Sequence, residues 1–201
     1  MKKIILIGAG GHCNSCIDVI ELEKKYKVVG LVDKKINTYN QKYKILGNDK
    51  NLKIYLSKTN FAHITLGQIK NLNRRGELFN NLKKIGYKFP SIVSPLAYVS
   101  PQAKIGEGTI VMHGAIVNRG AIVGNNTIIN TKALVEHDAI VGNNCHLATG
   151  STLNGGALIG NNSFIGSHTV LQQNIKVGNN CFVNANLFIN KKIKNNSKIY
   201  E

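Results

Sequence analysis

The chain has no apolar run of about 18 residues, so nothing in it reads as a transmembrane helix. Its start, Met1-Lys2-Lys3 and four aliphatics before Gly8, is too short for the hydrophobic region of a signal peptide, and the expectation is a cytoplasmic protein. Cysteine is scarce. Cys13 and Cys16 have redox spacing but fall one turn into a helix after a glycine loop, while Cys145 and Cys181 occupy small inward slots of the repeat described below. All four read as reduced, structural thiols. Aromatic residues make up 6% of the chain and are not interleaved with the scattered lysines, which argues against a nucleic-acid surface. Acids are few: 10 Asp and Glu against 26 Lys and Arg give a net charge of +16. Residues 1–92 hold 18 of the basic residues and 6 of the acids, so the excess lies mainly in the N-terminal half, where it could attract phosphorylated substrates, although a Lys/Asn/Ile-rich proteome accounts for most of it.

What the chain has is a period. From Val93 to Ile189 an aliphatic residue stands at every sixth position, 17 times without a skip. The position four after each aliphatic, from Ala97 to Thr169, is Ala, Thr, Cys or Ser in all 13 cases. A six-residue period is the mark of a parallel β-helix. One bulky and one small inward residue per hexad suit a narrow three-sided prism. Gly and Asn follow the aliphatics, as in Val123-Gly124-Asn125-Asn126, and tolerate positive φ at tight corners. Three hexads make a coil, so the run predicts five to six coils. The inward-small pattern fails at Ile175, Leu187 and Ile193, which marks the last coil as a cap or an altered contact surface.

Residues 1 to about 90 read as a small α/β domain. Strands are predicted over Lys3–Ile7, Lys27–Val32 and His63–Gly67, and helices over Asn14–Lys25 and Asn73–Ile85. The stretch from Lys34 to Thr59 carries no readable pattern. The βαβ order implies a parallel sheet of about three strands, and the Pro90 and Pro95 neighbourhood marks a boundary. Gly8-Ala9-Gly10-Gly11-His12 resembles the dinucleotide turn but has Cys13 where a third glycine belongs, and Asp33 sits where a ribose-binding acid is expected. The turn suits a phosphate or nucleotide sugar better than a whole dinucleotide. A glycine turn kept for packing alone is the competing reading.

Six histidines offer chemistry. His113, His137, His146 and His168 lie in the repeat with gaps of 24, 9 and 22 residues, a spacing that does not suit a histidine-ligated zinc, and no metal site is assigned. His137 lies two residues after inward Val135, so it points outward, between Glu136 and Asp138. A carboxylate on one imidazole nitrogen raises the basicity of the other, which makes a general base for an amine or hydroxyl. A solvated surface histidine is the plainer alternative.

Taken together, the glycine turn, Leu31-Val32-Asp33, Thr65-Leu66-Gly67-Gln68, Glu136-His137-Asp138, Cys145-His146 and Leu153-Asn154-Gly155-Gly156 resemble the NeuD/PglD type of bacterial sugar O/N-acetyltransferase, within the hexapeptide-repeat transferases. The resemblance covers nearly the whole chain. It implies a Rossmann-like α/β domain over residues 1–90 that binds a nucleotide sugar, and a left-handed β-helix over 91–201 that carries out acetyl transfer. It implies acetyl-CoA as co-substrate and a homotrimer with sites between adjacent subunits. By position, His137 resembles the catalytic base and Asp138 its acid. His146, Gly155 and Ser167 resemble coenzyme contacts. Gly10, Gly11, His12, Asp33 and Gly67 resemble the nucleotide-sugar pocket. The lead acceptor is the amine of a nucleotide-linked amino sugar in surface-glycan biosynthesis. O-acetylation of a sialic-acid-type sugar is the runner-up, and a non-catalytic nucleotide-sugar-binding or scaffold protein is the alternative of another class. The chain departs from its relatives at Phe182-Val183-Asn184-Ala185-Asn186, where they often carry glycine, and lacks the tail common in the superfamily, so coenzyme contacts there are open.

Overall fold

The computed structural model describes residues 1–34, 42–48, 52–68 and 72–201. The N-terminal region contains β1 (Lys2–Ile7), α1 (Gly11–Glu23), β2 (Tyr26–Val32), β3 (Ile45–Gly47), α2 (Leu52–Tyr55), β4 (Ala62–Ile64) and α3 (Arg74–Ile85). Its strands form one parallel sheet in the order β3-β2-β1-β4. The central strand β1 is a run of aliphatics because it is covered on both faces. Ile4 and Leu6 pack with Ile17 and Ile20 of α1, while Ile5 and Ile7 pack with Leu52, Phe79 and Leu82. Helix α1 begins three residues earlier than the periodicity predicts, directly at the glycine turn, and ends where Lys24 takes a left-handed φ of 58°. Strand β3 and helix α2 both fall in the stretch that had no readable pattern. Part of that stretch, 35–41 and 49–51, lies outside the described residues.

From Ile92 onward the chain winds into a parallel β-helix of two-residue strands on three faces. The first face holds seven strands, from Ile92–Val93 to Lys198–Ile199. The second holds six, from Tyr98–Val99 to Phe188–Ile189. The third holds five, from Lys104–Ile105 to Lys176–Val177. Register is strict: each residue pairs with the one 18 positions on, as Ile128 with His146. The predicted aliphatics point inward and form one core with the small residues, Ala115, Ala133, Cys145 and Cys181 among them. The end differs as the broken pattern predicts. Phe182 pairs with Lys198, so the last coil is 16 residues rather than 18.

Every third residue after an aliphatic, from Gly108 through Asp138 to Asn186, has positive φ. Those corner slots hold Gly, Asn or Asp except at Lys132 and His168. The outward residue before each first-face aliphatic is apolar at Ile92, Ile110 and Ile128, and these seat α1 through Ile17 and Ile20. The N-terminal domain therefore covers the early coils of the first face and leaves the second and third faces open.

Candidate functional site

Two of the predicted residues come together at the corner between the second and third faces. Asp138 occupies a left-handed slot with φ 59°, and its Oδ2 lies 3.0 Å from His137 Nδ1. The pair fits because its neighbours along the prism axis are glycines. A Cβ on Gly155, one coil later, would lie 2.6 Å from His137 Cε1 and Nε2. A Cβ on Gly120, one coil earlier, would collide with the Asp138 carboxylate. The His137–Asp138 pair thus lies in a notch, with Gly155 beside the imidazole and Gly120 beside the carboxylate. The His137 side chain is 61% exposed, and the Asp138 hydrogen bond raises its pKa above the usual histidine value. An open groove runs from Glu136 and His137 past Asn154 and Gly155 to Gln172, Gln173 and Phe188. Gln172 and Gln173 went unnoticed in the sequence, although they stand 36 residues after Glu136 and His137.

The N-terminal candidates gather elsewhere, against the first face. Gly8 is fixed by packing: its φ is +110°, and a Cβ there would lie 2.7 Å from Leu66. A Cβ on Gly10 or Gly11 would meet nothing within 4 Å, so packing does not account for these two glycines. Asp33 accepts a hydrogen bond from the Ala9 N–H at 2.7 Å, which ties its carboxylate to the turn itself. His12 lies in the first turn of α1, its Nε2 3.4 Å from Cys16 Sγ, and Gly67 packs beside it. His146 reaches the same cluster from the β-helix, its ring centroid 6.3 Å from that of His12. It is 5% exposed, with Nδ1 3.1 Å from the Gln68 carbonyl and Nε2 3.2 Å from Asn130 Nδ2. Both ring nitrogens are engaged within the chain, so the coenzyme contact implied by the resemblance would have to come at the ring's carbon edge. Ser167 lies half-buried at the corner between the first and second faces, where its carbonyl accepts from the Asn186 N–H. It shares neither the His137 groove nor the His12 cluster.

A serine, a histidine and an aspartate also line up between α1 and the first coil. Ser94 Oγ is 2.6 Å from His113 Nδ1, and His113 Nε2 is 2.9 Å from Asp18 Oδ2. Ser94 is 1% exposed and its hydroxyl already accepts from the Leu96 N–H, so this line joins the two domains and presents no nucleophile. Among the described residues, no group of three or more His, Cys, Asp or Glu could hold a metal ion, and no helix is long and apolar enough to cross a membrane.

The domain junction has a pH dependence. Burial lowers the pKa of His12 and of His63 from 6.5 to about 3, and that of His146 to about 4, with the Arg75 charge adding to each. The unfolded chain then binds more protons below pH 6.5, so the stability tied to neutral rings is complete above that value and is lost as pH falls. Each ring contributes a slope of about 1.4 kcal/mol per pH unit across its window. The thermal midpoint of the full chain is expected to drop steeply between pH 6.5 and 4.5, and less steeply in His63→Leu. A flat midpoint over that range would contradict this burial.

An α/β domain on a parallel β-helix, with an outward His-Asp pair at one corner, defines a hexapeptide-repeat transferase. The PglD N-terminal domain family matches residues 3–82, and the six-repeat bacterial transferase hexapeptide family matches residues 120–155 and 156–191. The chain belongs to the NeuD/PglD type. Among solved structures it is similar to the acetyltransferase domain of PglB from Neisseria gonorrhoeae, at 29% identity over 98% of this chain and 96% of that one, with a TM-score of 0.92. It is also similar to PerB from Caulobacter crescentus in complex with CoA and GDP-perosamine, at 26% identity over 97% and 92%, with a TM-score of 0.90. WeeI from Acinetobacter baumannii, at 18% identity over 98% and 96% and a TM-score of 0.83, shares the fold. A comparison with curated protein sequences returned no match.

Proposed function

We propose that the chain is an acetyl-CoA-dependent acetyltransferase that acylates the amine of a nucleotide-linked amino sugar in surface-glycan biosynthesis. It works in the cytoplasm as a homotrimer. The observation that carries this reading is His137, held at Nδ1 by Asp138 and presenting Nε2 to an open groove. PerB, which is bound to CoA and GDP-perosamine, supports the choice of both substrates. The mechanism is direct transfer. The amine attacks the thioester carbonyl carbon, its proton passes to His137 Nε2, and the C–S bond breaks. The departing thiolate takes that proton back. The open space above Gly10 and Gly11 receives the nucleotide, with backbone N–H groups at the α1 start facing its phosphates.

Topology supports a site shared between copies. In one chain the His137 corner lies opposite the first face, where the glycine turn and His12 sit, so base and acceptor turn belong to different sides of the prism. The second and third faces flank that corner with exposed Tyr98, Ile116, Ile122, Ile140 and Phe188, an apolar surface suited to further copies.

Thiol release tests the reading. It is expected to require both acetyl-CoA and an aminated nucleotide sugar, and the product is expected to be an amide. An ester product from a sialic acid would replace the acceptor assignment, and saturable sugar binding without thiol release would make the chain a binding protein. The pH profile tests the base. The neutral ring is the active form, so kcat/KM falls as pH drops below the raised His137 pKa. Asp138→Asn removes the cause of that rise and is expected to move the acid limb to lower pH and lower the plateau. The same acceptor serves both proteins, so its own titration cancels, and an unmoved limb would remove Asp138 from the mechanism.

A further inference from the structure

A buried cation helps tie the two domains together. Arg75, in the first turn of α3, is 1% exposed and has no carboxylate partner among the described residues. Its guanidinium donates instead to oxygens. Nη1 reaches the carbonyls of Ile64 at 2.8 Å and Leu66 at 2.6 Å, and Nη2 reaches the Asn126 carbonyl at 3.3 Å and Oδ1 at 2.9 Å. Burial lowers its pKa to about 10, which leaves it charged at neutral pH.

Asn126 is available for a reason that lies in the repeat. It begins a ladder of side-chain amides along the corner between the third and first faces. Asn126 Nδ2 donates to Asn144 Oδ1 at 2.8 Å, Asn144 to Asn162 at 3.1 Å, Asn162 to Asn180 at 3.2 Å and Asn180 to Asn196 at 3.0 Å. All rungs point the same way, so the carbonyl end of the row is Asn126 Oδ1. One coil earlier the slot holds Gly108, which has no amide to donate. Phe79 of α3 fills the space instead, and a Cβ on Gly108 would lie 2.9 Å from its ring. Gly76 lets α3 approach the next rung, since a Cβ there would lie 2.9 Å from Asn144 Nδ2. Helix α3 therefore fits where the ladder starts, and Arg75 supplies the donor that the missing rung does not. A cation at the acceptor end of an aligned amide row is electrostatically favoured, and the row polarises toward it.

We propose that Arg75 is a positioning residue: by capping the asparagine ladder it fixes the Leu66–Gln68 wall of the acceptor pocket at the setting on the β-helix that acetyl transfer needs. This rests on the acetyltransferase reading. The same guanidinium holds the carbonyls of Ile64 and Leu66, which lead into Gly67 and Gln68, and the Gln68 carbonyl accepts from His146. The His137 groove lies on the other side of the prism and makes no contact with Arg75. Loss of Arg75 thus acts mainly on the acceptor, because His146, the one implied coenzyme contact at this wall, is also held from its other ring nitrogen by Asn130.

The test uses the full chain with Arg75→Met, Arg75→Lys and Asn126→Gly, read by steady-state kinetics and by amide hydrogen exchange of residues 62–68. Arg75→Met is expected to raise the acceptor KM about 10- to 100-fold while the acetyl-CoA KM stays within about 2-fold. Exchange over 62–68 is expected to rise by about 10-fold or more. Arg75→Lys keeps the charge without the fork and should fall between. Should Arg75→Met not fold, Asn126→Gly decides, because it removes the ladder acceptor, suits the left-handed φ of 52° at that corner and leaves α3 unchanged. Wild-type exchange and an unchanged acceptor KM would overturn the proposal, as would equal rises in both KM values. If the wild-type chain shows no acetyl transfer, that reading fails by itself, and exchange over 62–68 still decides whether Arg75 sets the wall.

Discussion

His137→Ala is expected to lower turnover by about 10²- to 10⁴-fold, the usual contribution of a general base. The fold should not register the change. The side chain is 61% exposed, so truncation opens no cavity, and the backbone carbonyl of residue 137 still accepts from the Gly156 N–H. Thiol release measures the rate, while sedimentation and thermal melting check that assembly and stability are kept. A near-normal rate would take His137 out of the chemistry. A fallen rate with a fallen melting temperature would make the residue structural.

Gly155→Ala is the second large effect, and it comes from a residue that performs no chemistry. Gly155 has no positive φ to lose, so alanine fits its backbone. The new methyl, however, would sit 2.6 Å from His137 Cε1 and Nε2, where non-bonded contact needs about 3.5 Å, so the ring tip must move by about 1 Å. A misplacement of that size costs about 10²-fold in rate. The chain should fold, with a low kcat. A full rate in Gly155→Ala would mean that the reaction does not depend on where the imidazole rests.

The β-helix was legible because its rule is local. An inward aliphatic every six residues, with a small partner four on, leaves little choice of register, and the structure keeps that register through Phe188–Ile189. The His137–Asp138 pair was legible for the same reason, since its outward direction follows from inward Val135. What escaped the reading depends on neighbours one coil away. Gly120 and Gly155 make the notch only through their distance of 18 residues from Asp138 and His137. The burial of His146 follows from the docking of a whole domain on the first face, although outward Ile92, Ile110 and Ile128 at 18-residue spacing carried a signal for it. Strand β3 has three residues and half-buried side chains, too little for any periodicity to register. Arg75 lies in a polar helix whose spacing gives no sign that one of its cations is buried.

The central claim is that His137 of one copy serves an acceptor held by another. Mixed oligomers test it most directly. His137→Ala chains lack the base, and Gly11→Trp chains have the acceptor turn blocked by a side chain that has open space to occupy. Each is expected to be inactive alone. Co-assembled in equal amounts, they place an intact base beside an intact turn in about a quarter of the sites, and thiol release should recover to about a quarter of the wild-type rate. Mixed assemblies as inactive as their parents would contradict a shared site and return base and acceptor turn to a single chain.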